Sequence, residues 1–212
     1  MANVDISSED HTRISSAIQK MERETSGEIY AVVAHQSDDY FFVAGFVAAL
    51  WALLIGVVLA AMATFFAFPL SVLTLASAQA MSFLTSMAVF WWFPQARLWF
   101  VPRSLAYRRA SHNAVRQFLA HGIHTTNTRS GVLIFVSLAE HYAEIIADEG
   151  INQKVTQSQW DAMVATLIDA AKNDRLADGY LSVIETAGGL LAEHFPPTKG
   201  QKNELDDRLV EI

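Results

Sequence analysis

The chain has 212 residues, 52% of them apolar and 17% charged, with a formal net charge of −7 and no cysteine. That length accommodates one ordinary domain plus a membrane segment, or two small domains. The missing cysteines exclude a disulfide framework, a thiolate zinc site and a cysteine phosphatase. The charge is uneven: eight acids against three bases in residues 1–39, six arginines and no acid in 40–139, and fourteen acids against six bases in 140–212. An acidic total thus hides a cationic middle.

The start, MANVDISSED, is acidic and polar, with neither a basic leader nor an early apolar stretch, so a cleaved secretory signal is not expected. Ser7 or Ser8 is placed to cap a helix, Ser7 with Asp10 three positions on. Ile14, Ala17, Ile18 and Met21 then recur at helical spacing, and Gly27 is the expected C-terminal stop. Residues 29–35 follow as a strand with little alternation, which suits a central strand covered on both faces.

Residues 40–96 contain no Asp, Glu, Lys or Arg. A membrane-spanning helix needs about 20 apolar residues, and this run has room for two. With Pro69 near its middle, spans are expected at about 41–66 and 70–93. Two spans return the chain to its starting side. Arg97, Arg103, Arg108, Arg109 and Arg116 follow without an intervening acid, which places both flanks and both termini in the cytoplasm. Trp91, Trp92, Trp99 and Tyr40 would lie at headgroup level. Small residues recur at Ala52, Gly56, Ala60 and Thr64, and at Ser71, Thr74, Ala78, Ser82 and Thr85. Such stripes serve packing within the hairpin or pairing between chains as a homo-oligomer. With no charge inside, the hairpin anchors rather than pumps.

Beyond it, residues 104–121 have helical character, HGIHTTNTRSG is a polar loop, and VLIFVSL is a second continuous strand. Residues 142–147 make a third strand, close enough to the second for an antiparallel hairpin. Thr156 with Gln159 forms a capping box ahead of an amphipathic helix through Trp160, Met163, Val164, Leu167, Ile168 and Ala171. A last helix begins near Asp178 and stops at Pro196 and Pro197. The order describes one α/β sandwich with a two-helix transmembrane hairpin inserted in the crossover after the first strand. Its parts are residues 1–39, the hairpin at 40–96, the rest of the domain at 97–196, and a flexible charged tail at 197–212. Asp38 and Asp39 are then expected to face the membrane, and Asp148 and Glu149 the opposite way.

The stretches ETSGEIYAVVA (24–34), TRSGVLIFVSLAEHYAEIIADEGI (128–151), the Trp160 helix and DGYLSVIETAGGLLAEHFP (178–196) resemble the TPM domain family, in its bacterial two-span membrane-protein branch. The resemblance covers most of the residues outside the hairpin and implies an α/β/α sandwich. Among similar proteins, some plant members act in photosystem repair with a weak acid phosphatase activity. Some bind calcium or other divalent cations through acidic loops, and an animal member modulates a receptor.

Asp148 and Glu149 close the third strand near Asn127, Thr128 and Arg129, an arrangement with acids for a calcium or magnesium ion and Arg129 for an anion. The competing reading is a turn with a structural ion pair to Arg129. Asp38 and Asp39 offer a second acid pair, set against a simple strand terminus. His112, His121, His124 and His141 lack any H-E-x-x-H pattern, and no phosphate loop, dinucleotide fingerprint or nucleophile elbow is present. The Gly188-Gly189 pair fits close helix packing. A membrane-flanking position accounts for the arginines without nucleic acid. The expectation is therefore an inner-membrane interaction module whose partners are the lipid bilayer and an unidentified membrane protein, serving assembly or maintenance. The alternative is a weak divalent-metal-dependent phosphatase at the cytoplasmic face.

Overall fold

The computed structural model describes residues 6–126, 128–197 and 203–212. The chain divides into two compact units, one of residues 1–37 and 107–212 and one of residues 38–106.

The first unit is built on a four-stranded mixed sheet in the order β3-β2-β1-β4. Strand β1 (Glu28–Ala34) and strand β2 (Gly131–Ser137) run parallel, from Glu28 opposite Gly131 to Ala34 opposite Ser137. Strand β3 (Tyr142–Ala147) returns antiparallel to β2, so that Ala147 ends beside Val132. Every residue of β1 and β2 is buried, and the two faces alternate as pleating requires. Ile29, Ala31, Val33, Val132, Ile134 and Val136 form one face. Tyr30, Val32, Ala34, Leu133 and Phe135 form the other. The unbroken apolar runs are the signature of strands covered twice.

Three helices cover the first face: α1 (Ser8–Glu22), α7 (Gln157–Lys172) and α8 (Leu176–His194). Ser7 caps α1 by accepting from the Asp10 amide at 3.1 Å, and the Thr156/Gln159 capping box starts α7. Gly179 and Gly188 let α8 approach its neighbours: a Cβ there would fall 2.6 Å from Ala170 Cβ and 2.7 Å from Met21. Close packing thus explains Gly188 but not Gly189, which faces open space. The Tyr180 hydroxyl crosses from α8 to donate to the Val32 carbonyl at 2.6 Å, fully buried. On the second face lie Ala114 and Phe118 of α5 (Arg103–Ala120) and Ile123 of a 3₁₀ turn (Ile123–Thr125). The sheet therefore carries helices on both faces, as expected.

Two features differ from the sequence reading. Helix α1 ends at Glu22, four residues before the expected stop is reached, and Gly27 instead makes room for Leu191, whose Cδ2 lies 2.6 Å from where a Cβ would be. The tail at 197–212 is not uniformly flexible. Its last residues form β4 (Leu209–Glu211), parallel to β1 with Ala31 opposite Leu209, and Leu209 is buried. A strand with one free edge needs only a few hydrogen bonds and one anchoring side chain to hold a short segment. Residues 198–202 of the tail lie outside the described residues.

The second unit contains α2 (Phe41–Phe66) and α3 (Val72–Trp92), packed on each other, followed by the short α4 (Gln95–Leu98). Both long helices are long and apolar enough to cross a membrane. Ser71 caps α3 by accepting from Thr74 N at 3.0 Å. Arg97 closes the other end, donating to Phe90 O and Asp39 O and stacking over Phe41.

Candidate functional site

Polar side chains gather where β1 and β2 begin and β3 ends. The last rung of the β2–β3 hairpin, Asp148 N to Gly131 O at 2.9 Å, fixes Asp148 at that end. Asp148 then caps α6 (Glu149–Asn152), accepting from the Glu149 amide at 2.6 Å through Oδ1. The same oxygen accepts from Arg129 Nη2 at 3.2 Å, and Glu149 Oε2 lies 3.6 Å from that nitrogen. Arg129 adopts a left-handed backbone (φ 51°), and Gly150 lets α6 pass close over the Arg129 carbonyl. Thr128 and Ser130 share a 2.5 Å hydroxyl contact and donate to the Ser26 carbonyl.

The structure therefore brings Asp148, Glu149 and Arg129 together, as the sequence suggested; Asn127 lies outside the described residues. The trio is organised as an ion pair around a helix cap. A calcium ion asks for about six to eight oxygens, whereas here a guanidinium stands between the two carboxylates. Asp148 is 4% exposed and its Oδ2 has no hydrogen-bond partner among the described residues. Glu149 is exposed. These residues fit a divalent ion poorly, and among the described residues no group of three or more His, Asp or Glu is arranged to hold one.

Two acids at the same end escaped the sequence reading. Glu28, the first residue of β1, is 2% exposed, and burial pushes its carboxyl up to about 7. Its Oε1 accepts from the Glu204 amide. Glu22 accepts from Ile29 N at 3.1 Å, and burial, reinforced by the neighbouring carboxylates of Asp207 and Glu28, pushes it up to about 9. The backbone hydrogen bond opposes that rise without overcoming it. Each acid has one buried oxygen unpartnered among the described residues. The signal was present: Glu22 stands four residues after Ile18 on the apolar stripe, and Glu28 opens a strand with no other polar residue but Tyr30.

At the opposite ends of β1 and β2 a second polar group is closed on itself. Glu140, 4% exposed, accepts from Ser137 Oγ at 2.5 Å and Ser37 N at 3.0 Å, while Ser37 and Ser137 touch at 2.7 Å and Asn113 donates to Ser37. Open α/β sheets often bind ligands beyond these strand ends, but here the serines and the carboxylate are consumed by one another.

The histidines do not converge. His121 Nδ1 meets the Tyr30 hydroxyl at 3.0 Å, His124 packs on Phe118, His112 is exposed on α5, and His141 occupies a left-handed turn position (φ 51°). Asp38 and Asp39, in the second unit, accept from the amides of Tyr40 and Phe41 at 3.0 Å each. They satisfy amides at the start of α2, where a helix leaves its first donors free and favours negative charge.

The model of the TPM domain matches residues 95–190. The BA42 protein of the psychrophilic bacterium Bizionia argentinensis, solved by NMR, is similar in fold, with a TM-score of 0.59 at 19% identity over 98% of this chain and 95% of that one. No curated protein matches the chain.

Proposed function

We propose, for a chain that over residues 95–190 belongs to the TPM domain family, that it is a bilayer-tethered interaction module docking on membrane-protein partners in assembly or maintenance. One observation carries this reading: both long apolar helices lie inside the crossover between β1 and β2, so the strands of the sheet flank them in the chain. The domain is thereby bound to whatever α2 and α3 enter. The six arginines between α3 and the next acid, Glu140, support an inner-membrane hairpin with both termini cytoplasmic. The central acid of the polar end, Asp148, is engaged by Arg129. A photo-crosslinking side chain at exposed Arg108 or Val115 in cells tests the proposal. Adducts to a small, reproducible set of integral membrane proteins support it; a protein yielding none at any position on α5 refutes it.

The second reading, a weak divalent-metal-dependent phosphatase, draws on the unpartnered Asp148 Oδ2 beside Arg129. It requires Asp148 and Glu149 to give up Arg129 before holding calcium or magnesium, and the released Arg129 to contact the phosphoryl anion. Hydrolysis of p-nitrophenyl phosphate with either ion, lost on Asp148→Asn in a protein that keeps its melting temperature, would move the assignment here. Absence of turnover in the wild type removes it.

A further inference from the structure

Between residues 41 and 94 the chain contains a single carboxamide, Gln79, and α3 holds it where hydrocarbon would surround it. Gln79 is seven residues from the start of α3, about 10 Å along the axis, inside a hydrocarbon layer about 30 Å thick. Its side chain lies over the buried Gly56 of α2: a Cβ at Gly56 would come within 3.1 Å of Gln79 Cγ and closer still to its amide. Two hydroxyls of the hairpin bond within their own helices, Thr64 to Ala60 O at 2.9 Å and Ser77 to Thr74 O at 3.0 Å. The Gln79 amide, by contrast, is only half-buried and has no hydrogen-bond partner among the described residues.

A lipid tail offers neither donor nor acceptor, so a membrane helix with an unsatisfied amide gains by finding a protein partner. A carboxamide carries both functions. It is self-complementary, and a two-fold axis lets each copy give an N–H and accept one at the same place. A different protein would have to present an amide at matching depth. We propose that two copies of this chain pair in the bilayer through reciprocal hydrogen bonds between their Gln79 carboxamides. Ala76 and Phe83, exposed and within one turn of Gln79 on the same edge of α3, line the contact. Gly56 contributes by letting the glutamine lie against α2 at a fixed height. The inference rests on the bilayer placement proposed above.

The test uses the full chain reconstituted in liposomes, with association followed by energy transfer between labelled copies as the protein-to-lipid ratio is varied. The chain has no native cysteine, so Ala76→Cys reports proximity directly by oxidative cross-linking, with Leu84→Cys as the off-edge control. The wild type is expected to float with the liposomes, to dimerise, and to cross-link through position 76 in preference to 84. Gln79→Leu, which is more apolar and inserts readily, is expected to float equally and to dissociate about three- to thirty-fold more easily. A wild type that floats but stays monomeric at every ratio overturns the pairing and leaves the membrane reading standing. So does Gln79→Leu associating as tightly as the wild type. A protein that does not float overturns both.

Discussion

Raising the pH from mildly acidic to mildly basic is expected to loosen the first unit through Glu22. One oxygen of its carboxyl is buried without a partner among the described residues, and the other accepts a single amide hydrogen bond, 3.1 Å from Ile29 N. Burial, with Asp207 and Glu28 alongside, raises its pKa from 4.5 to about 9. In the fold the group is protonated at neutral pH; in the unfolded chain it is ionised. The folded pKa exceeds the unfolded one, so the contribution is fully present below pH 4.5 and is lost as the pH climbs through 9. Inside that window the slope is one proton, about 1.4 kcal/mol per pH unit. Moving from pH 5.5 to 7.5 therefore removes about 3 kcal/mol, which for a unit of roughly 140 residues lowers the midpoint by about 10 °C. The assay is thermal unfolding followed by tryptophan fluorescence at half-unit pH steps, on the full chain in nanodiscs, for wild type and Glu22→Gln. Gln79 and the hairpin do not titrate, so the difference between the two curves isolates Glu22. The amide variant is expected to lose the share of the slope that belongs to Glu22 and to keep that of Glu28, whose carboxyl is raised to about 7. A Glu22→Gln protein with the wild-type slope would refute the reasoning.

Other perturbations are expected to act locally. Tyr180→Phe leaves the buried Val32 carbonyl without its side-chain donor and should cost about 1–2 kcal/mol in a denaturant titration, with unchanged cooperativity. Gly131→Ala drives a Cβ against the Ile123 carbonyl and its Cγ2; a loss of about 1–3 kcal/mol is expected, read as a lowered melting temperature. Leu209→Ala removes the one buried side chain of β4 and should cost about 2–4 kcal/mol, with hydrogen exchange rising at Ala31, Val32 and Val33 before anywhere else in the sheet.

The architecture was legible because its signals are long. Two fully buried strands, a 26-residue and a 21-residue apolar helix, and three amphipathic helices each repeat their pattern over many positions. The parallel and antiparallel pairings followed from connection length. Strand β4 was hidden because three residues in DDRLVEI cannot carry a period, and their pairing is decided by an open edge on β1 that no local pattern announces. Gly27 was misassigned because a glycine after a helix has two uses, and only the position of Leu191 distinguishes them. At the polar end, Asp148, Glu149 and Arg129 were found because they are close in sequence to a strand end. Glu22 and Glu28 were passed over because a carboxylate on an apolar stripe reads as an interruption, whereas in the fold it is a neutral, buried acid.

Strand β1 lies at the centre of the sheet, yet both of its neighbours are encoded far downstream: Gly131 pairs with Glu28 and Leu209 with Ala31. On the ribosome, β1 is therefore complete long before any partner exists. Seven consecutive residues that the finished protein hides entirely must stay unpaired while both apolar helices and α5 are synthesised. Such a segment, β-prone and without charge beyond Glu28, is the kind that joins other chains edge to edge. On the bilayer-tethered reading proposed above, the order of synthesis makes membrane insertion the step that protects it: delivering α2 and α3 promptly shortens the interval before β2 emerges. Stalled insertion should then show itself first as aggregation of the nascent chain through β1, ahead of any failure in the helices themselves.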